Sequence, residues 1–470
     1  MRRPPPPGDG LLRSISSGLG YVMHLPWHFY AYFFRSAGAS PPELADRSLQ
    51  VLLLLTQHLP PALFEAADSS NRFDLALRSV GDLPAESDAA EGDADAEAGQ
   101  CHGSQISFRR LHDAIAATLP QEGSMVLLYL LLHGNSEFLA HTLSRADPDT
   151  LLLPLLRNLY SPARLKPNQL YMLLIVLLML SQDEGFVSTA HSVMLPSVAW
   201  FKERILHQIS LGSLIVVLLV RAVQFNIAQL HDSYVHTNCL AALANMSPTF
   251  RRLHPHAARC LVSLYDVLSR KFLKLSSMQA STTSDAEAEL LAEELVLYGD
   301  FLRMALEVIN VVLAKSITHN EHLVYAMLER EAVFTPLAQH ERIADLVTNV
   351  SVVLSHFGAG LNAEDGEGAS GEPVWSVDKV LNHIRTAART WASERLTQLP
   401  DPRFTYEQEA SPEEFFTPYI WQLVYEGSGI SWRSDRIVVL PQEAPPSGEE
   451  RPDGIPALSR IDIDVVDEEA

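Results

Sequence analysis

Apolar residues recur along most of this chain at three- and four-residue spacing, in stretches of about 10 to 25 residues, which is the period of helices that bury one face. The spacing predicts helices at Leu44–His58, Ser107–Leu119, Glu122–His133, Ser136–Leu143, Asp149–Tyr160, Asn168–Ser181 and Ser188–Ser210. It continues through Leu211–His231, His236–Met246, Thr249–Leu275, Ser284–Ser316, Asn320–Glu329, His340–His356 and Ser376–Leu399. Breaks fall at turn-forming pairs such as Asp147-Pro148, Ser161-Pro162, Lys166-Pro167 and Ser247-Pro248. Asp149, Asn168 and Thr249 are candidate N-caps, because a short side-chain oxygen accepts a free first-turn N–H. Alternating strand patterns are scarce before the C-terminal region.

So many helices joined by short links point to an all-α fold: an α-solenoid of stacked antiparallel helix pairs, HEAT- or armadillo-like, with disordered acidic loops and tail. No strict repeat is visible, but about 40 residues per pair suits such units. Asn168–Ser181 and Leu211–Ala228 are apolar on most of their surface and read as an inner layer. Residues 1–40 form a proline- and aromatic-rich segment, 41–440 the solenoid, and 441–470 a disordered acidic tail. Acidic loops are expected at about 81–104 and 358–373.

Charge sharpens this division. The net charge is −22, and four stretches (Gly81–Gly99, Asp285–Asp300, Asn362–Pro373 and Pro441–Ala470) hold 26 of the 57 acidic residues with only 2 of the 35 basic ones. The rest of the chain is close to neutral. Such a balance argues against a nucleic-acid-binding surface, so no nucleic-acid partner is expected. The acidic segments either keep an apolar scaffold dissolved or dock a basic partner. Three cysteines, Cys101, Cys239 and Cys260, form no disulfide framework and suit a reducing compartment.

The longest unbroken apolar run, Leu170–Leu180, has 11 residues, against about 20 for a membrane span. No apolar h-region directly follows Met1-Arg2-Arg3, so neither a signal peptide nor a transmembrane helix is expected. Gly18–Phe34 lacks Asp, Glu, Lys and Arg and carries Tyr21, Trp27, Phe29, Tyr30, Tyr32, Phe33 and Phe34. These aromatics are candidate membrane contacts, and the plainer reading is a segment packed on the first helices.

Catalytic motifs fail one after another: GxxxxGK[ST], GxGxxG, GxSxG and HExxH are all absent. His254, His256 and Cys260, or His319 and His322, supply too few ligands for zinc. Catalytic, cofactor-binding and metal residues are therefore none, with no cofactor and no small-molecule substrate. Two places suit contacts instead. In Ala241–Met246, small residues allow close helix approach, and ALANM is similar to the inner helix of armadillo units, where an Asn faces a groove. Asn245 either does this or bonds locally near the helix end. Ser411–Tyr425 opens with an N-cap serine and Pro412, then gathers Phe415, Phe416, Tyr419 and Trp421. These aromatics either close the last open face of the solenoid or anchor a partner.

Three stretches together resemble the dymeclin family: QISLGSLIVVLL at Gln208–Leu219, YVHTNCLAALANMSPTFRRL at Tyr234–Leu253, and PEEFFTPYIWQLVY at Pro412–Tyr425. Fainter likenesses lie at Pro4–Gly8, Leu128–Asn135, Tyr171–Phe186 and His322–Leu328, so the resemblance runs from Pro4 to about Leu440. It implies a peripheral protein of the Golgi that exchanges with the cytoplasm, supports Golgi organisation and vesicle traffic, and partners other proteins of that machinery without catalysis. The chain begins where the middle of a dymeclin is expected, and the family's myristoylated N-terminal glycine has no counterpart. Either the sequence is incomplete, or membrane association rests on another element such as Gly18–Phe34. The family supplies no functional residues to carry over. The competing expectation is an armadillo-type peptide-binding cargo adaptor, and a remoter one a metal-dependent hydrolase.

Overall fold

The structure is a computed structural model describing residues 43–57, 71–83, 105–282, 285–359, 376–408 and 411–428. The described residues are mostly helical, with two small two-stranded sheets, consistent with an all-α fold. Helices are α1 (Glu43–Gln57), α2 (Arg72–Arg78), α3 (Phe108–Thr118), α4 (Glu122–Gly134), α5 (Ser136–Ser144) and α6 (Asp149–Leu159). Next come α7 (Pro167–Ser181), α8 (Glu184–Ser192), α9 (Leu211–Phe225), α10 (Ser233–Met246), α11 (Pro255–Ser281) and α12 (Asp285–Ser316). The series ends with α13 (Glu321–Glu329), α14 (Ala344–Gly358), α15 (Val377–Ala388) and α16 (Pro412–Ser428).

Within residues 1–424 the long helices stand in two rows. One row is α1, α4, α7, α10, α12 and α14, each packed on the next. The other is α3, α6, α9, α11, α13 and α15. Successive members also pair across the rows, α11 with α12 most extensively. This explains the helices without a polar face. α7 is buried over nearly its whole length because α4, α10, α6 and α8 surround it. α9 is equally apolar but stands in the other row, covered by α6, α8, α10 and α11. The two helices expected to share an inner layer thus belong to different rows. Each fully buried leucine here contributes roughly 1.5–3 kcal/mol.

Several helix starts follow cap chemistry. Asp183 Oδ1 accepts the Phe186 N–H at 2.6 Å, Ser210 Oγ that of Ser213 at 3.2 Å, and Asn135 Oδ1 that of Phe138 at 2.9 Å. Asp149 and Asn168 instead fall inside their helices, behind Pro148 and Lys166 at the cap positions. Thr249 closes a 3-10 turn, and α11 starts at Pro255.

Two predicted helices are wrong. Ser188–Ser210 is split: α8 ends at Ser192, and β3 (Met194–Ser197) pairs antiparallel with β4 (His207–Ser210), Leu195 opposite Ile209. Pro196 cannot donate a helical hydrogen bond, and Leu195 alone among Met194–Ser197 is buried, which is the alternation of a strand. Ser376–Leu399 stops at Ala388: the chain goes on in tight turns, one of them the 3-10 turn Ser393–Arg395, until the backbone of Thr397 is paired by Asn349 of α14. The acidic stretch from Gly81 also begins inside the fold. β1 (Gly81–Asp82) pairs parallel with β2 (Gln105–Ile106), and Asp82 Oδ1 accepts the Phe108 N–H at 2.8 Å. The segment 1–40, the remainder of the acidic loops and the tail 441–470 lie outside the described residues, as do Tyr21, Trp27, Phe29, Tyr30, Tyr32, Phe33 and Phe34.

A single helical stretch among the described residues, Leu211–Leu230, is long and apolar enough to cross a membrane, with mean hydropathy 1.9. It is 72% buried inside the fold, as a core helix is.

Candidate functional site: a strap held across one row of helices

Residues 396–408 form neither helix nor strand, yet side chains of several helices hold them at intervals. At α14, Asn349 Nδ2 donates to the Thr397 carbonyl at 3.1 Å and Asn349 Oδ1 accepts the Thr397 N–H at 2.9 Å. At α12, Lys315 pairs with Asp401. At α10, Asn245 repeats the two-bond grip: Nδ2 donates to the Phe404 carbonyl at 2.8 Å and Oδ1 accepts the Phe404 N–H at 2.8 Å. Asn245 Nδ2 also donates to Ser181 Oγ at 3.1 Å, at the end of α7. Arg403 pairs with Glu184, the first residue of α8. At α4, the Tyr406 and Tyr129 hydroxyls are 3.0 Å apart, and the Tyr406 ring lies edge-on to both Tyr129 and His133.

The strap therefore meets α14, α12, α10 and α4 in turn, against the order of the chain, with α8 touched at Arg403. Pro400 and Pro402 suit a non-helical strap, because each removes a donor and holds the residue before it extended.

A primary amide fits this role. It presents one donor and one acceptor side by side, the complement of one residue's C=O and N–H. Asn245 and Asn349 are both buried, and the strap backbone gives each amide the donor and acceptor that it would otherwise lack. Asn245 thus bonds a residue 159 positions away rather than its own helix end. The remaining sequence-singled residues follow the strap. Phe416 is buried and stacks on Tyr129 with ring centres 5.2 Å apart. Tyr419 is buried and donates to Glu122 Oε2 at 3.3 Å. Phe415 is half-buried against Phe416 and Tyr419, whereas Trp421 is 46% exposed. The aromatic helix was expected to close the last face of the stack. It packs instead on α4, near the beginning, because the strap carries the chain back there.

Asn349 and the strap itself escaped the sequence reading. Asn349 carries the same signal as Asn245, an asparagine set in an apolar helix face, and Asn310 in α12 makes a third in the next helix of that row. Asn310 Nδ2 donates to the carbonyls of Leu306 and Leu346, while its buried Oδ1 has no partner.

Elsewhere the titratable groups are buried in forms unsuited to chemistry at neutral pH. Burial pushes the Cys239 thiol well up and that of Cys260 to about 12. Burial holds His112, His191 and His236 down to about 4, aided at His112 by Arg145. His256 Nε2 lies 3.8 Å from Cys260 Sγ, but among the described residues no three His, Cys, Asp or Glu side chains gather as metal ligands. A small void beside Asn245, lined by Leu177, Phe186, Val187, Ile215 and Leu219 among others, has no titratable side chain.

The family model described as "Dymeclin: Dyggve-Melchior-Clausen syndrome protein" matches residues 1–423. The chain belongs to the dymeclin family. It is 34% identical over 465 residues to Dymeclin of Rattus norvegicus and 35% over 461 to that of Gallus gallus, in each case 94% of this chain and 66% of the relative. To Dymeclin of Drosophila melanogaster it is 34% identical over 409 residues, 84% of this chain and 54% of the relative. The chain thus spans just under two thirds of the vertebrate dymeclins and about half of the insect one. No solved structure matches it. All the strap-holding residues of this dymeclin-family chain lie within the matched segment.

Proposed function

We propose that this chain is a non-catalytic helical scaffold and adaptor of the Golgi and vesicle-traffic machinery, built as an α-solenoid of stacked helix pairs. The two continuous rows of helices support the solenoid reading, since each helix packs mainly on its neighbours along and across the rows. Membership of the dymeclin family supports the Golgi assignment. It acts at the cytoplasmic face as a peripheral protein, partnering other proteins, without cofactor or small-molecule substrate. The observation that carries the scaffold reading is the strap. The polar side chains that hold it, Asn245 and Asn349 with Lys315 and Glu184, bind polypeptide backbone and charged side chains. A fluorescent fusion of the chain tests the assignment: cytoplasmic signal with a component overlapping a Golgi marker is expected. Uniform nuclear or secreted signal would sink it.

The same observation favours a second reading, an adaptor that binds extended peptide. Two buried asparagines on one row of helices already hold an extended segment by its backbone.

A further inference from the structure

We infer that the strap is an internal pseudo-ligand: the face formed by α14, α12, α10, α8 and α4 is a binding site for an extended segment of a partner protein, which residues 396–408 occupy in its absence. The inference deepens the adaptor reading and rests on it. The site reads its ligand in two ways. Asn349 and Asn245 hold backbone N–H and C=O groups and are indifferent to side chains. Selection comes from the fixed charges and rings between and beyond them. Lys315 takes a carboxylate, Glu184 a cation two residues later, and the Tyr129–His133 pair an aromatic three residues after that. The partner is therefore an extended peptide with the order acid, one residue, base, two residues, aromatic, as in Asp401, Arg403 and Tyr406.

Occupancy is a competition. A tethered segment acts at an effective concentration on the order of millimolar, so a free peptide of equal contacts hardly enters the intact chain. A partner gains entry by making more contacts or by meeting a weakened strap. The weak points are the ion pairs, because all four charged side chains are at least about a third exposed and such pairs contribute only about 0–1 kcal/mol.

The test uses the full chain with residues 397–408 replaced by a Gly/Ser linker of equal length, and a synthetic peptide of residues 396–408 as probe. The peptide is expected to bind the replaced chain one to one and the intact chain much more weakly. Asn245→Ala in the replaced chain should lower that affinity about tenfold or more. A peptide with Asp401→Arg and Arg403→Asp should also bind less well. A folded replaced chain that ignores the peptide overturns the proposal, and so does a replaced chain that unfolds, for then the strap is core. Hydrogen exchange on the intact chain gives an independent reading. The Thr397 and Phe404 amides should exchange through an opening that leaves α10 protected. Exchange of both only on global unfolding counts against release. Dimers of intact chain that trade straps would make the occupant a second copy and overturn the partner assignment. None of these outcomes depends on where the protein resides in the cell, so failure here is distinct from failure of the Golgi reading.

Discussion

Asn349 on α14 closes on the backbone of Thr397 with a donated and an accepted hydrogen bond, the same pair that Asn245 on α10 makes to Phe404. Two helices of one row, with α12 between them, thus grip one segment at points seven residues apart. The grip closes a loop of chain, because the segment leads into α16, whose Phe416 stacks on Tyr129 of α4.

Removing either amide should destabilise the fold through the strap. Asn245→Ala removes both hydrogen bonds to the half-buried backbone of Phe404 and should cost about 1–3 kcal/mol in urea unfolding. Asn349→Ala should cost less, since Thr397 is exposed and water can take over its bonds. Asn245→Asp keeps the shape but loses the donor, placing a carboxylate oxygen against a carbonyl oxygen, and should be at least as damaging. Losses below a few tenths of a kcal/mol would show that the strap is not held by these bonds.

The aromatic helix offers a contrast within two turns. Phe416→Ala removes a buried ring stacked on Tyr129 and should cost about 3–5 kcal/mol. Trp421→Ala, at a 46% exposed position, should cost far less. Thermal unfolding of the two variants checks the order, and equal losses would contradict the packing described.

Acid should weaken the fold before its carboxylates titrate. His112, His191 and His236 ordinarily titrate near 6.5 but are held at about 4 by burial, so the unfolded chain takes up protons first. Their contribution is whole above about pH 6.5 and is lost as pH falls toward 4. Urea midpoints measured from pH 7.5 to 4.5 should decline, and His191→Gln should flatten the slope. An unchanged slope would mean that His191 is not buried neutral.

Gly212, at the start of α9, is needed for close approach rather than for a special backbone angle. A Cβ there would meet the His191 ring at 2.5 Å. Gly212→Ala should cost about 1–3 kcal/mol by overpacking. The double variant Gly212→Ala with His191→Ala should recover part of that loss, since the second change vacates the space. Additive losses in a double-mutant cycle would argue against the contact.

The sequence by itself determined that the chain is helical, and placed most helices to within a few residues. Apolar spacing and proline-bearing breaks are local, and a helix satisfies its own backbone hydrogen bonds, so neighbours are not needed to recognise it. It also marked Asn245, Phe416 and Tyr419 as unusual, because an amide in an apolar face and rings at such density are visible without coordinates. Only the tertiary structure decided what they touch. Ser376–Leu399 looks helical as far as its apolar spacing goes, yet the chain beyond Ala388 leaves the helix. It passes through tight turns to Thr397 and Phe404, whose backbone groups are paired by Asn349 and Asn245, on helices far away in sequence. Likewise, nothing near Met194–Ser197 announces Ile209 as the partner of Leu195. A non-helical segment that borrows its hydrogen bonds from distant side chains carries no period of its own. The strap, and with it the binding face, therefore becomes visible only once the helices are assembled.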